Sequence, residues 1–200
     1  MKNIFITMLF ALGSITTSSA QDKGDLEFGV NIGYNSSSIT DGYLAADNGS
    51  GVNIGLAADY FFSDSWSIKT KLIYDQKGWN NDNLGNGRTN INLDYLTIPV
   101  MANWHFAKKR NWYLNFGPYV GFLMTAEDSK NGIDVKDALN TTDFGIAFGI
   151  GVKIPVSNKL KIYFEYDAQS GFSDIFKDNP AGSVQGYRGA FNVGLNFMMK

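Results

Sequence analysis

The sequence predicts an all-β protein: an eight-stranded antiparallel up-and-down transmembrane β-barrel that follows a cleaved N-terminal signal peptide. Three observations support this fold class. The chain of 200 residues opens with a short apolar leader. Eight later segments alternate apolar and other residues with a period of two, which is typical of strands that have two different faces. The polar connections between these segments are alternately long and short, as in an up-and-down meander.

The leader has the three parts of a secretory signal peptide. Lys2 supplies the positive charge, residues 4–12 form an apolar run, and Ser18 and Ala20 occupy the small-residue positions before a cleavage site. The apolar run is too short to cross about 30 Å of hydrocarbon as a helix. We therefore expect residues 1–20 to be removed on export and residues 21–200 to form one outer-membrane barrel domain.

In each of the eight alternating segments, every second residue lies on the same face of the strand. This face carries no charged residue, Asn or Gln in any of the eight. The segments are residues 26–34, 52–60, 66–74, 96–104, 112–122, 144–154, 160–168 and 191–199. The long polar connections are residues 36–50, 78–92, 126–141 and 171–189, and the short ones are residues 61–65, 107–111 and 155–159. This spacing places four long loops at one end of the barrel and both termini at the other. We also expect a short helical turn within residues 126–143.

Alternation alone does not say which face points outward. A soluble lipocalin-like barrel would turn its apolar face inward, whereas a membrane barrel turns it toward lipid. The apolar set is too bulky for the interior of an eight-stranded barrel, which side chains only just fill. The opposite face combines glycines with longer polar side chains, which suits a narrow polar lumen. The sequence therefore favours the membrane barrel.

Aromatic residues support the same choice because they cluster at both ends of the strands. Two such bands are the interfacial girdles of a membrane barrel. The band at the short-turn end comprises Trp66, Trp104 and Trp112 with Phe61, Phe62, Phe106 and Tyr113, and the opposite band comprises Tyr34, Tyr74, Trp79, Phe122 and Phe144. Pro99 and Pro118 each remove a ladder donor, so we expect a bulge or a local irregularity at both.

The lumen face carries the candidate functional residues of the chain. They are Lys69, Lys71, Asp75, Lys153, Lys161, Glu165 and Asp167. Charges in a narrow lumen have to be paired or hydrated. Two interpretations follow: an interlocking ion-pair plug that rigidifies the barrel, or the lining of a thin water path, since rings of charge set pore selectivity.

Composition and motifs exclude several other classes of function. The formal charge of −2 argues against nucleic-acid binding, and the absence of cysteine excludes disulfides, thiolate zinc sites and a cysteine nucleophile. His105, the single histidine, has no evident serine and acid partner, so we expect no catalysis. Residues 80–87 are rich in oxygen ligands but lack the closing acidic ligand of a calcium loop. We expect no metal and no cofactor.

Three segments carry a resemblance to a known family. The chain resembles the PorT-type outer-membrane β-barrel domain in residues 95–100 (YLTIPV), 117–121 (GPYVG) and 149–152 (GIGV). The resemblance extends over essentially all of residues 21–200. The last strand, residues 192–199, is similar to the C-terminal signal read by the barrel-assembly machinery, although the chain ends in Lys200 rather than in an aromatic residue. The resemblance implies an outer-membrane location in a Gram-negative bacterium.

These observations lead to one expected function and one main alternative. We expect a non-enzymatic structural or surface-interaction barrel, embedded in the outer-membrane bilayer, whose four long loops contact a partner that the sequence does not identify. The alternative is a narrow, porin-like pore of low conductance through the polar lumen. A soluble lipocalin-like carrier is the third possibility, and it requires the opposite orientation of the apolar face.

Overall fold

The computed structural model describes residues 23–40, 46–83, 88–180 and 182–199. The expected signal peptide and residues 84–87 of the oxygen-rich segment lie outside this part of the chain. Within the described part, no helix is both long and apolar enough to cross a membrane.

Eight long strands and one very short strand account for most of the described chain. Their bounds are β1 Leu26–Thr40, β2 Asp47–Phe61, β3 Trp66–Asn83, β4 Arg88–Phe106, β5 Trp112–Asp128, β6 Ile133–Asp134, β7 Thr142–Pro155, β8 Leu160–Gly171 and β9 Gln185–Met199. A short 3-10 helix, Lys136–Ala138, lies in the segment where a helical turn is predicted. The two-residue strand β6 forms a hairpin with the end of β5.

The long strands close into a barrel in which every neighbour is antiparallel. The strands follow one another in chain order around the ring, with β5 beside β7. The ring closes where β1 pairs with β9, from Leu26 opposite Met199 to Thr40 opposite Gln185. The predicted eight-stranded antiparallel barrel is thereby confirmed. Closure leaves none of the eight long strands as an exposed sheet edge.

The strands run further than the apolar segments that predicted them. The connections predicted at residues 36–50 and 78–92 are mostly strand, because β1 continues to Thr40, β2 begins at Asp47, β3 continues to Asn83 and β4 begins at Arg88. Treating these segments as loops was therefore wrong. Their Asn, Ser and Gly residues mark the change from lipid to water, and a backbone ladder continues through that change because its hydrogen bonds do not depend on apolar side chains.

The two faces of the sheet are as predicted. None of the alternating apolar positions is buried, and Phe191, for example, is 70% exposed. The residues between them point inward, where Asn35 and Asn103 are fully buried. A large apolar surface outside and polar side chains inside are the reverse of a lipocalin-like carrier. They are the arrangement of a barrel whose surrounding solvent is lipid.

Three aromatic residues assigned to the girdles instead point into the barrel. Phe61 and Tyr113 are fully buried, and Trp79 is 2% exposed. The reason is the two-residue period of the strand, because Phe61 follows the outward-facing Tyr60 and Tyr113 follows the outward-facing Trp112. The girdle at the short-turn end therefore consists of the other members of that band. They include Trp66 and Trp104, whose rings are stacked with their centroids 6.2 Å apart.

The prolines interrupt the ladder without moving the register. Pairing of β4 with β5 stops at Pro99–Tyr119 and resumes at Ala102–Phe116 in the same register. The Thr70 hydroxyl donates a hydrogen bond of 3.0 Å to the carbonyl oxygen of Pro99, which gives that acceptor a partner. The true register shift between these strands lies at Asp94 and Tyr95, well above either proline.

Candidate functional site: the lumen and mouth of the barrel

All seven predicted lumen charges are buried inside the barrel, each with 6% exposure or less. They form three groups along the barrel axis, and further charged residues complete the first and the last of these groups. We call these the lower, central and upper groups, counted from the short-turn end.

The lower group surrounds two carboxylates near the short turns. Lys153 Nζ lies 2.5 Å from Glu27 Oε2 and 3.2 Å from Asp59 Oδ2. Lys161 Nζ contacts the other oxygen of Glu27. Asn103 donates a hydrogen bond of 2.9 Å to Asp59. Two lysines thus face two carboxylates, and this part of the lumen is electrically balanced.

The central group is built around Glu165. Lys69 Nζ lies 2.6 Å from Glu165 Oε2, and Lys71 Nζ contacts Glu165 Oε1. Asn115 donates a hydrogen bond of 3.1 Å to Glu165 Oε2. Lys71 also reaches Asp167 Oδ2 at 3.2 Å, which links this group to the next. Each buried charge therefore has an opposite charge beside it, as burial requires.

The upper group brings one arginine between two carboxylates. Arg188 Nε lies 2.9 Å from Asp75 Oδ2, and Arg188 Nη1 contacts Asp167 Oδ1. Asn35 donates a hydrogen bond of 2.8 Å to Asp75. Lys77 lies at the edge of the group, 3.9 Å from Asp75. The planar guanidinium serves two acceptors at once, which a lysine ammonium does less well.

Four charged members of these groups were missed by the sequence analysis: Glu27, Asp59, Lys77 and Arg188. Glu27 and Asp59 were recognisable, because each lies between outward-facing apolar residues of an alternating segment. Lys77 directly precedes the connection predicted at residues 78–92, and Arg188 lies inside the one predicted at residues 171–189. Extending the alternation beyond the apolar run would have placed Arg188 on the lumen face, since it has the same parity as Asn192.

Glycines make room for the large side chains that fill the lumen between the charges. A Cβ atom on Gly151 would collide with the ring of Tyr113, and one on Gly194 would collide with the ring of Tyr163. Both tyrosines are buried, and Lys69 Nζ lies 4.7 Å and 5.5 Å from their ring centroids, respectively. Rings and charges together therefore occupy the narrow interior.

His105 does have a serine partner, contrary to the expectation from sequence. Its Nε2 lies 3.0 Å from Ser67 Oγ and 3.9 Å from Asp59 Oδ2. A catalytic triad needs the acid on Nδ1 and the serine on Nε2, whereas here both approach the same nitrogen. Ser67 and His105 are also almost completely buried. The geometry is that of a packed polar contact without a substrate site.

The end of the barrel opposite the short turns, which we call the mouth, has an apolar interior. Ten buried side chains form the mouth cluster: Ile39, Trp79, Ile91, Leu93, Tyr95, Leu123, Ala126, Leu139, Ile175 and Val184. Phe176 packs against them, and its ring meets that of Trp79 edge-on with the centroids 6.1 Å apart. The mouth cluster lies directly above the upper group and covers it.

Two connections are joined across the mouth by hydrogen bonds. The Asn140 backbone N–H donates to the Ile175 carbonyl at 2.8 Å, and its side-chain amide donates to the carbonyls of Asp174 and Phe176 at 2.9 and 3.1 Å. The Lys177 N–H donates to the Ala138 carbonyl at 3.0 Å. This clasp holds Ile175 down in the mouth cluster.

Two small cavities lie between these layers, lined by residues that the structure describes. One of about 30 Å³ lies between the mouth cluster and the upper group, lined by residues that include Lys77, Tyr119, Asp143 and Arg188. Another of about 10 Å³ lies beside Lys71. A single water needs roughly 10–15 Å³, so each cavity has room for very few waters. The described residues also contain no cluster of three or more His, Asp or Glu side chains placed to hold a metal ion.

Comparison with known proteins agrees with this architecture. A family described as outer membrane protein beta-barrel domain matches residues 19–177, which is most of the chain. The chain belongs to this outer-membrane β-barrel family. Its location is accordingly the outer membrane. No curated protein matches the sequence.

Solved structures with the same fold include three outer-membrane barrels of low sequence identity. OprG from Pseudomonas aeruginosa is 11% identical with a TM-score of 0.59, covering 92% of this chain and 99% of its own. Neisserial surface protein A is 16% identical with a TM-score of 0.54, covering 88% and 99%. AlkL, determined in DMPC bilayers, is 13% identical with a TM-score of 0.53, covering 93% and 95%. At such identities these likenesses show the fold and nothing finer.

Proposed function

We propose that this family member is a closed, non-enzymatic outer-membrane barrel that serves as a structural or surface-interaction module. The observation that carries the proposal is the double closure of the lumen. We call the band of outward-facing apolar residues between the two aromatic bands the belt. The three charged groups fill the barrel at the level of the belt, and the mouth cluster covers them on the side of the mouth. A barrel filled in this way offers its outer end, rather than its interior, to other molecules.

The proposed orientation places the mouth outside the cell and the short turns with both termini in the periplasm. Above the belt the strands continue as paired ladders to Thr40 and Asp128, so the connections at the mouth are mounted on a rigid rim. A rigid scaffold that presents loops is a common platform for binding. We also propose that residues 1–20 direct export, that β9 is read by the barrel-assembly machinery, and that the barrel is of the PorT type.

A narrow pore is the alternative, and one observation favours it. The cavity beneath the mouth cluster is lined by Lys77, Asp143 and Arg188, so charged side chains border the space next to the closure. If the clasp between Asn140 and Ile175 opened, these charges would line the entrance and would select ions.

Electrophysiology with a matched gel assay separates the two functions. We expect the protein in the outer-membrane fraction to migrate differently before and after boiling, because a closed barrel resists detergent until heated. The same heat-shifted protein in planar bilayers should give no conductance steps, while a porin in the same membrane shows that channels are detected. Reproducible ion-selective steps from the folded form would overturn the closed barrel and establish the pore.

A further inference from the structure

An apolar groove of about 330 Å³ crosses the lipid-facing surface of the barrel. Two neighbouring rows of paired residues line it. The first row follows the register through five strands, from Trp66 to Trp104, Leu114, Ile150 and Tyr166. The second row contains Phe116, Phe148 and Ala168. The small Ala168 stands opposite the ring of Phe148, and this difference in size leaves the space unfilled.

The groove runs obliquely from one membrane interface into the belt. Trp66 is the first residue of β3 at the short-turn end, whereas Tyr166 lies half-way along β8. Strands of a membrane barrel tilt by about 45°, so a row perpendicular to them also rises at an angle through the bilayer. The stacked rings of Trp66 and Trp104 form a wall at the lower end. The groove thus has the course of a lipid chain that enters from the interface.

A cluster of cations stands at the lower end of this groove. The turn between β4 and β5 contains Lys108, Lys109 and Arg110 in succession. It begins just after Phe106, two residues from Trp104, which corresponds to about 7 Å along a strand. Lys108 and Lys109 are exposed. Arg110 is held back by Asp64, whose carbonyl oxygen lies 3.1 Å from Nη1 and whose Oδ2 lies 3.5 Å from Nη2.

We propose that this surface is a specific site for an anionic phospholipid of the periplasmic leaflet. Its phosphate lies at Lys108 and Lys109, and one of its acyl chains lies in the groove. The positive charge of the turn is complementary to a phosphate, and the apolar groove is complementary to an alkyl chain. The turn and the groove are adjacent, as the head group and the acyl chains of a phospholipid are. The site goes beyond the proposed function of the mouth and rests only on the short turns facing the periplasm.

Native mass spectrometry of the folded barrel tests the head-group part of the site. The detergent-solubilised protein is given an equimolar mixture of phosphatidylglycerol and phosphatidylcholine. We expect retained lipid to be mainly phosphatidylglycerol, by a factor on the order of tenfold for two lysines near an anionic head group. The double variant Lys108→Gln/Lys109→Gln should lose this preference. The charge-matched double variant Lys23→Gln/Lys159→Gln, at other exposed positions of the same end, should keep it.

A second pair of variants tests the groove. Ala168→Phe fills the groove and should abolish retention of either lipid, whereas Ala58→Phe, on the lipid face of β2 outside the groove, should not. Both variants are first checked for the heat-dependent gel shift, so that a folding failure is recognised. The proposal is overturned if no lipid is retained, if the preference survives in Lys108→Gln/Lys109→Gln, or if Ala58→Phe and Ala168→Phe behave alike. A dimer that disappears in Ala168→Phe would overturn it in favour of a contact between copies of the chain.

Discussion

The membrane-level lumen and the mouth of this barrel are built on the same strands with opposite chemistry. On β4, the inward-facing Asn103 and His105 are polar and the outward-facing Val100 and Trp104 are apolar. Nearer the mouth, the inward-facing Leu93 is apolar and the outward-facing Asp94 is polar. The side of the sheet on which each residue lies still alternates regularly through this stretch. What changes is the solvent, from lipid to water.

This difference shows that the solvent around the barrel decides which face of a strand is apolar. The order and pairing of the strands do not decide it. In lipid the outward face has to be apolar, so the interior is left to polar groups that pair with one another. In water the same interior can hold an apolar core, as in any globular protein. The change occurs on β4 between Tyr95, which is buried, and Leu96, which faces outward. From this change we infer that the hydrocarbon ends near this position on that strand, on the side of the mouth.

The largest expected effect comes from removing a charge from the membrane-level lumen. Glu165→Gln removes the carboxylate that pairs with Lys69 and Lys71, and unpairing a buried charge lowers the free energy of unfolding by about 3–5 kcal/mol. Urea unfolding in lipid vesicles, followed by tryptophan fluorescence, measures it. The double variant Lys69→Met/Glu165→Gln should recover part of the loss, because it also removes a charge left without its partner. Full stability of Glu165→Gln would contradict the structural role of the central group.

A somewhat smaller effect is expected from placing the same charge on the outer face at two heights. Ile150→Lys, within the belt, should lower the free energy of unfolding by about 2–4 kcal/mol or prevent assembly. Asn92→Lys, outward-facing on β4 above the belt, should change it little, since its partner across the ladder is Glu127. The same unfolding assay measures both. Equal tolerance at the two positions would mean that the belt boundary is misplaced.

The smallest expected effect comes from a substitution in the apolar mouth cluster. Ile175→Val removes one methyl group from the mouth cluster and should lower the free energy of unfolding by about 0.5–1.5 kcal/mol. Ile133→Val, at a position that is 55% exposed, removes the same group from a hairpin at the same end and should have no measurable effect. Thermal unfolding of the two variants side by side makes the measurement. Matching losses would show that the mouth cluster does not behave as a packed core.

The sequence alone predicted the belt well and the mouth poorly, and the solvent explains both results. Lipid demands strict alternation, so positions such as Phe191 and Ile150 could be assigned to the outer face, and Glu165 and Lys153 to the lumen. Above the belt that demand ends. Trp79 was then assigned to a girdle and Arg188 to a loop, although both point into the barrel. Pairing partners such as Asp75 for Arg188 could not be predicted, because β3 and β9 are not neighbours in the ring and these side chains meet only across the interior of the closed barrel.

Closure of β1 onto β9 also governs when the molecule can exist during its biogenesis. The seam joins the first strand to the last, and Asn196 donates a hydrogen bond to Glu27 across a separation of 169 residues. Until the last strand arrives, both edges of the growing sheet are unpaired and open to wrong partners. Losing β9 would therefore leave an open sheet with two reactive edges rather than a smaller barrel. The sheet of this protein is therefore complete only once its last strand has paired with its first.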